Sequence, residues 1–361
     1  MKSTIRSTFI KMTVLASLSL GLFFTSCSKK DSTPPPDKTS INAAIDSAKW
    51  YSTNTNEGTK PGEYTTGAKT ALNSALASAQ SIVADASSTQ AVLTNAAANL
   101  QAAITAYKAT FIQQIAVASL VAFWKFNGNA NDSSGNGHNG TLEAGPVGLS
   151  SVPGGVPNST NDRFGNASAA YHFAGGGNID VPYSPSLNPP AMSISLWERQ
   201  DTAGRTDHFS DYYMIAMNRW NGWKFQMQPT RPFFTVNTDS ADYDRDGALD
   251  LAIGTTVGSG SWYHLVVTYD GAGTEVFYVN GTMVKTWTNL KGAAKQFTPT
   301  VDISIGSDLP NSAYTPTDDG TGRYFVTWGG YWTGDLDDVM FYNIALTGPQ
   351  VASIYTNQNT Q

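Results

Sequence analysis

The chain is poor in the residues on which most catalytic and disulfide-stabilised proteins depend. Of its 361 residues one is a cysteine, so no disulfide can form within the chain. Its four histidines are scattered, and no serine–histidine–aspartate arrangement can be assigned from their spacing. The glycine runs lie between strand-like segments and not before a helix, which disfavours a phosphate-binding loop.

Basic residues are also scarce. The chain has 22 lysines and arginines against 28 aspartates and glutamates, a net charge of −6. Without the three basic residues of the N-terminal signal considered next, 19 basic residues remain against 28 acidic ones. Because nucleic-acid phosphates bind to clustered basic side chains, nucleic acid is not an expected partner.

The N-terminal apolar run, Met12–Phe24, is too short to cross a bilayer as a helix, which takes about 20 residues. Lys2, Arg6 and Lys11 precede it and small residues follow it, the order of a secretory signal. Cys27, directly after these small residues, resembles the acylated cysteine of a bacterial lipobox. The alternative is an ordinary secretory signal with a stray cysteine.

The lipobox resemblance implies a signal peptide over residues 1–26 and a lipid anchor on the mature chain. Residues 27–38 are polar and rich in proline, which predicts a stiff tether. Ser28 stands where an aspartate often retains lipoproteins at the inner membrane. The resemblance therefore implies the bacterial outer membrane, with the protein on its periplasmic or its external side.

Residues 39–115 predict a module of three helices. Apolar residues recur at helical spacing on two stripes, with Ser87 or Ser88 as the N-cap between them. Residues 39–112 resemble the FIVAR-type helical modules of bacterial surface proteins. This resemblance implies a spacer that lifts its neighbour from the membrane, with weak adhesion as the alternative. The second stripe consists of Leu93, Ala96, Ala97, Leu100, Ile104 and Tyr107.

From Leu120 onwards, short runs rich in β-branched and aromatic residues alternate with turn residues, which predicts strands. Asn280-Gly281 lies between two such runs and is a strong signal for a two-residue hairpin. The number of strands is too large for one open sheet. The sequence therefore predicts a mainly β fold, a jelly-roll-like sandwich of two antiparallel sheets after the helices.

Three segments carry a family resemblance over residues 118–358. They are "LVAFWKFNGNANDSSGNGHNGTL", "WYHLVVTYDG" and "DLDDVMFYNIALTGPQVASIY", in this order. The segments resemble those of bacterial laminin-G-like domains, which implies a concanavalin A-like lectin sandwich. Because a fold alone does not determine function, the site residues have to be considered separately.

Catalytic residues are difficult to assign. Glycoside hydrolysis usually needs two carboxylates that flank the scissile bond. Related sandwich glycosidases cluster their acids along one strand, and this chain has no such cluster. Glu198, with Asp201 nearby, is the best single candidate, and His264 is more typical of a half-buried strand residue. We therefore expect a protein that is not an enzyme.

The resemblance implies a structural calcium ion where the two ends of the sandwich meet. Asp132 and one of Asp337 or Asp338 would be ligands, and Asn127 and backbone carbonyls would complete the shell. The alternative is that Asp132 begins an Asx turn.

A second candidate calcium site is "DYDRDGALD". Asp242, Asp244, Asp246 and Asp250 stand at positions 1, 3, 5 and 9 around Gly247, a spacing typical of short calcium loops. Position 12 carries no glutamate, so an EF-hand is excluded. The alternative is a solvated acidic turn between two strands.

Aromatic residues in glycine-rich segments suggest a carbohydrate platform. We predict sugar contacts for Trp220, Trp223, Tyr331 and Trp332, with Arg323 as a polar partner or an ordinary surface residue. The alternative is that these rings fill the ends of the sandwich. Arg219 and Arg231 could be further polar partners or ordinary surface residues.

The sequence thus predicts a lipid-anchored envelope protein whose sandwich binds a glycan or glycoprotein, with calcium as a possible ion. The alternatives are a protein–protein adhesion module, a weak glycosidase and a purely structural envelope component.

We expect Cys27→Ala to abolish incorporation of radiolabelled palmitate in the bacterial host, because the thiol is the predicted acyl acceptor. Ser28→Ala is the control and should keep the label. Labelling of Cys27→Ala at the wild-type level would contradict the lipid anchor.

Overall fold

The computed structural model describes residues 34–145, 155–201, 212–296, 300–321, 326 and 329–359. Cys27, the predicted signal peptide and Arg323 lie outside these ranges. Within them, no helix combines the length and the apolar character needed to cross a membrane.

Three helices form the N-terminal part of the structure. Their small and apolar side chains share one core, in which Ile41, Leu72 and Leu93 are almost fully buried. The third helix begins after Thr89, whose hydroxyl accepts a hydrogen bond from Val92 N at 3.4 Å. The N-cap prediction for Ser87 or Ser88 was therefore wrong. The elements are α1 (Thr39–Asn54), β1 (Glu57–Gly58), β2 (Tyr64–Thr65), α2 (Ala68–Ala84) and α3 (Gln90–Ala109).

Two antiparallel sheets follow, and a C-terminal helix, α4 (Gly348–Gln358), comes after them. The strands are β3 (Leu120–Trp124), β4 (Thr141–Glu143), β5 (Asn158–Thr160), β6 (Ala170–Phe173), β7 (Asn178–Val181), β8 (Met192–Gln200), β9 (Tyr212–Met217), β10 (Trp223–Gln228), β11 (Arg231–Asn237), β12 (Asp242–Asp246), β13 (Tyr263–Tyr269), β14 (Glu275–Val279), β15 (Thr282–Trp287), β16 (Ile303–Ile305) and β17 (Gly334–Tyr342).

The two sheets enclose one apolar core. One sheet has the strand order β15-β14-β13-β8-β17-β6-β5, and β3 also pairs with β17. The other sheet has the order β12-β11-β10-β9-β16-β7-β4. Alternate residues of each strand face the core, as Met192, Ile194 and Leu196 do on β8. The predicted mainly β sandwich with N-terminal helices is confirmed.

The predicted hairpin joins β14 to β15. Asn280 and Gly281 both have positive φ, 49° and 74°, as a tight two-residue hairpin turn requires. A Cβ atom at Gly281 would lie 2.9 Å from the ring of Tyr355 on α4, so this turn also needs glycine for packing.

Helix α4 covers part of the outer face of the eight-stranded sheet. A capping box of Thr347 and Gln350 begins it, and the ring of Tyr355 stacks on Trp197 of β8 at a centroid distance of 5.7 Å. On its other side α4 contacts the helical module, where the Ser353 hydroxyl donates a hydrogen bond to the carbonyl of Thr59. The last helix therefore lies between the module and the sandwich.

A row of charged side chains crosses three strands of the same outer face. Asp335 of β17 accepts from Arg199 Nε at 2.6 Å and lies 2.8 Å from His172 Nδ1. The hydrogen bond with Asp335 raises the pKa of His172, although partial burial opposes it. The protonated imidazole is therefore favoured in the folded state.

We expect His172→Gln to reduce the free energy of unfolding by about 1 kcal/mol more at pH 5.5 than at pH 9. The stabilisation from a raised histidine pKa is complete below the unfolded-state value. It is lost as the pH rises through the folded-state value, which gives the sign.

Urea unfolding at both pH values measures this difference. The same substitution in an Asp335→Asn background is the control, and there the pH-dependent part should disappear. An equal loss at both pH values in the wild-type background would contradict the prediction.

Candidate functional site

A cavity of about 650 Å³ opens on the outer face of the eight-stranded sheet. This volume lies within the range of about 300–1,000 Å³ that is typical of ligand pockets. Strands β3 and β17, the loop over residues 162–169 and the end of α4 surround it. Its lining residues are Phe123, Lys125, Asn127, Gly128, Asp162, Arg163, Phe164, Asn166, Ala167, Ser168, Ala169, Asp337, Asp338, Met340 and Gln358.

An irregularity in β17 shapes the cavity. Neighbouring side chains of a regular strand point to opposite faces. The pairing of β17 with β8 shifts between Asp337 and Met340, and Asp338 has a φ of 47°. The carboxylates of the consecutive residues Asp337 and Asp338 can therefore reach the same partner.

That partner is Arg163. Its Nη1 lies 2.5 Å from Asp337 Oδ2, and its Nη2 lies 3.0 Å from Asp338 Oδ2. Nη2 also donates a hydrogen bond of 2.7 Å to the carbonyl oxygen of Gln358. One guanidinium thus connects the 162–169 loop, the irregular part of β17 and the end of α4.

Two aromatic rings hold the guanidinium from its sides. The Arg163 Cζ atom lies 4.6 Å from the ring centroid of Phe164 and 4.4 Å from that of Trp197. Cation–π contacts of this kind are strongest for desolvated cations, and the Arg163 side chain is only 5% exposed. The arginine is therefore fixed in position before any ligand arrives.

The two carboxylates compete for this single cation. Burial, followed by the charge of Asp338, raises the pKa of Asp337, and Arg163 only partly opposes this shift. Burial likewise raises the pKa of Asp338. One guanidinium cannot neutralise two buried carboxylates, so the pair carries an excess of negative charge when both are ionised.

The rim of the cavity differs in character from its floor. Asp162 accepts hydrogen bonds from Phe164 N at 2.9 Å and Asn166 N at 2.8 Å, which fixes the loop turn. The Phe164 ring stays 38% exposed. Lys125 is exposed as well, and its Nζ lies 5.2 Å from the ring centroid of Phe123.

Comparison with known families places this cavity in a known fold. Residues 173–352 match the laminin-G-type profile of the concanavalin A-like lectin/glucanases superfamily. This segment is a concanavalin A-like domain. It includes β17 and both buried aspartates, whereas Arg163 lies ten residues before its matched start. No curated protein is similar enough to the chain to count as a match.

Solved structures that resemble the chain include a domain of a carbohydrate-active enzyme and two toxin domains. Domain 4 of AbnA, a GH43 extracellular arabinanase from Geobacillus stearothermophilus, solved with arabinotriose, is 21% identical, with a TM-score of 0.46 over 66% of this chain and 98% of that domain. The binding domain of Paraclostridial Mosquitocidal Protein 1 is 16% identical, with a TM-score of 0.46 over 68% and 53% of the two chains. The receptor-binding domain of botulinum neurotoxin type G is 18% identical, with a TM-score of 0.42 over 66% and 51%. The chain thus spans about half the length of each toxin structure.

The first predicted calcium site of the concanavalin A-like domain is only partly assembled. Asn127 and Asp337 line the same cavity, but Asp132 does not. The Asp132 carboxylate accepts from Phe123 N at 3.0 Å, His138 N at 3.0 Å, and both the amide and the hydroxyl of Ser134 at 2.8 Å. These four bonds occupy the acceptor positions of Asp132, and the contact with Ser134 N is the Asx turn given above as the alternative. The shared calcium site stays a prediction.

The residues of the second predicted calcium site have a backbone conformation that differs from the predicted loop. Asp242, Asp244 and Asp246 belong to strand β12, not to a loop. Asp250 lies apart from them and pairs with Arg231 at 2.8 Å. The prediction of an ion-wrapping loop was therefore wrong about the backbone. Among the residues that the structure describes, no three histidine, cysteine or acidic side chains are grouped as for a metal ion.

The predicted aromatic platform is largely part of the core. Trp223 and Trp332 are fully buried between the sheets, and Tyr331 is 4% exposed, so these rings cannot stack on a ligand as placed. Arg323 lies outside the described residues. Trp220 alone of the four predicted rings remains accessible, with 38% of its surface exposed.

Arg219, another predicted partner, is also not a surface residue. It is fully buried, and its Nε lies 2.5 Å from Asp308 Oδ2. Asn218 and Arg219 both have positive φ, 63° and 51°. The Arg219 Cζ atom lies 5.5 Å from the centroid of the Trp220 ring, so the buried ion pair packs against the inner face of the exposed tryptophan.

The candidate catalytic residues are buried as well. Glu198 is 1% exposed, and burial raises its pKa to about 8. His264 lies 2.9 Å from the Ser195 hydroxyl, a pairing that their spacing did not indicate. Burial lowers the pKa of His264 to about 3, and its Nδ1 has no partner in the described ranges. The pair therefore lacks an orienting acid and lies beneath Tyr355 of α4.

Arg163 and its neighbour Phe164 are site residues that the sequence analysis missed. The only local signal was an arginine between an aspartate and a phenylalanine, followed by the turn-forming residues Gly165 and Asn166. The doubled aspartate at 337–338 was recognised, but only as a source of calcium ligands.

We expect Trp223→Ala to reduce the free energy of unfolding by about 3–5 kcal/mol, because it leaves a cavity in the core. Trp220→Ala, at a 38% exposed position, should cost less than about 1.5 kcal/mol. Urea denaturation of both variants measures the difference, and equal costs would contradict the assignment of Trp223 to the core.

Proposed function

We propose that this protein is a non-catalytic, lipid-anchored envelope protein whose concanavalin A-like domain binds carbohydrate. The observation that carries the proposal is the cavity beside Arg163, which combines accessible aromatic surface with carboxylate and amide groups. The glycan would be free polysaccharide or part of a glycoprotein.

The lining groups suit a sugar ring. The exposed Phe164 ring offers a flat apolar surface, and sugars present apolar faces of this kind. Asn127 and Asn166 provide amide groups, and Asp338 uses only its Oδ2 on Arg163. Because Arg163 is already fixed by five partners, binding would cost little ordering entropy on the protein side.

The geometry favours binding over hydrolysis. A glycosidase needs one acid as a proton donor and another as a base or nucleophile on opposite sides of the scissile bond. Asp337 and Asp338 instead lie next to each other on one guanidinium. This arrangement is more typical of a rigid recognition surface.

The anchored location is part of the same proposal. The lipobox-like order before Cys27 supports acylation, and the polar tether and the helical module would hold the sandwich away from the outer membrane. Contacts between α4 and the module, such as Ser353 with Thr59, suggest that the module also orients the sandwich.

A glycan array probed with the mature chain, with Cys27 replaced by serine, tests the binding proposal. We expect Phe164→Ala to weaken binding about tenfold or more, since one lost stacking contact is worth about 1.4 kcal/mol. Phe111→Ala is a matched control, because Phe111 is also 38% exposed but lies at the end of the helical module. Trp220→Ala tests the alternative surface on the other sheet.

Repeating the array in calcium and in EDTA tests the predicted role of calcium. Loss of binding in EDTA would support a bridging or structural ion, and unchanged binding would remove calcium from the proposal. Absence of binding to every glycan under both conditions would contradict carbohydrate recognition and favour protein–protein adhesion.

A further inference from the structure

The charge of the cavity restricts the kind of sugar that it can accept. We infer that the cavity beside Arg163 selects glycans with free amino groups over neutral glycans and rejects glycans that carry carboxylates. This inference rests on the proposed carbohydrate binding and adds a ligand class to it.

The floor of the cavity has two carboxylates and one cation. The side chains of Asp337 and Asp338 are 4% and 15% exposed, and both pair with the one guanidinium of Arg163. Burial raises the pKa of Asp337 to about 8, so at pH 7 the pair holds one proton in the absence of a ligand. A cationic ligand would favour the doubly ionised pair, in which two carboxylates face one guanidinium. Because the pair is buried, solvent and salt screen its charge weakly.

The guanidinium is not available to bind an anionic ligand. Proteins usually recognise carboxylates through the two parallel N–H groups of an arginine. Here Nη1 already donates to Asp337, and Nη2 donates to Asp338 and to the Gln358 carbonyl. A uronic acid would therefore meet the buried aspartates without gaining a bidentate partner.

The rim does not reverse this charge. The exposed ammonium of Lys125 acts on Asp338 and favours its ionised form, and the half-buried carboxylate of Asp162 opposes this effect. An ammonium group on the ligand could donate to Asp338 Oδ1. This oxygen has no hydrogen-bond partner in the part of the chain that the structure describes.

The back of the cavity has unused hydrogen-bonding capacity. Arg163 Nε and Gln358 Nε2 are buried donors with no acceptor among the described residues. Gln358 is 7% exposed, and the Arg163 side chain is 5% exposed. Buried donors of native proteins are nearly always paired, but both nitrogen atoms are closed to solvent, so an oxygen could reach them only after a rearrangement of the cavity. The carboxylates at the front of the cavity fit a positively charged sugar.

The test compares matched ligands that differ only in charge. Each oligosaccharide is immobilised in three forms: the neutral glycan, the same glycan with amino sugars, and the same glycan with uronic acids. A β-1,4-linked glucose hexamer is one suitable oligosaccharide. The mature chain is measured at pH 7 in EDTA, at low and at high salt. For every oligosaccharide that binds, we expect the amino form to bind about tenfold more tightly than the neutral form and the uronate to bind at least tenfold more weakly. High salt should change both ratios only a little, because the aspartates are buried.

Asp338→Asn tests the source of this selectivity. Asparagine tolerates the positive φ of Asp338, so the backbone should keep its shape while one negative charge is removed. We expect the ratio of amino-sugar to neutral binding to fall towards one. Asp46→Asn, on the exposed face of α1, removes the same charge far from the cavity and should leave the ratio unchanged.

The outcomes separate the two proposals. Binding of the uronate form as tight as that of the neutral form, or tighter, would overturn the selectivity while carbohydrate binding stands. An amino preference that Asp338→Asn leaves intact would also overturn it, because the charge would then come from elsewhere. If no oligosaccharide binds in any form, the proposed function itself is wrong and the inference falls with it.

Discussion

The contact between Arg163 and the paired aspartates of β17 is the interaction on which the cavity depends. It brings together a loop, an irregular strand and the end of a helix, none of which is held to the others by a continuous β ladder at this point. Removing one partner of a buried ion pair leaves an uncompensated charge, which is usually far costlier than losing a surface pair. The aromatic rings of Phe164 and Trp197 add to this constraint, because they leave the guanidinium little freedom to turn.

The sequence predicted the sandwich because its signals are local and repeated. Alternating apolar residues, the Asn280-Gly281 turn and the helical stripes each depend on neighbours only a few positions away, and each was recovered in the structure. The same reasoning failed where spacing alone was used to infer a ligand shell. Asp242, Asp244 and Asp246 fit a calcium loop in sequence, yet a two-residue period also suits a strand. In the structure this segment pairs with β11 and is therefore a strand.

Burial explains the remaining differences between the predicted and the observed site. Glycine-rich flanks suggested that Trp223 and Trp332 were exposed, but these rings are large enough to fill the space between two sheets, and they do so. Asp132 was recognised as important, and the alternative prediction of an Asx turn accounts for its contacts with Ser134, whereas its bond from Phe123 N depends on the fold. Arg163 could not be assigned from the sequence, because its acidic partners follow 174 and 175 residues later.

This long separation also has a consequence for biogenesis. A chain that leaves the ribosome from its N-terminus presents Arg163 well before β17 and α4 have been synthesised. Closing such a large loop is entropically costly and slow compared with forming local hairpins. The cavity is therefore among the last parts of the molecule to form, and it is incomplete until β17 and α4 have been synthesised.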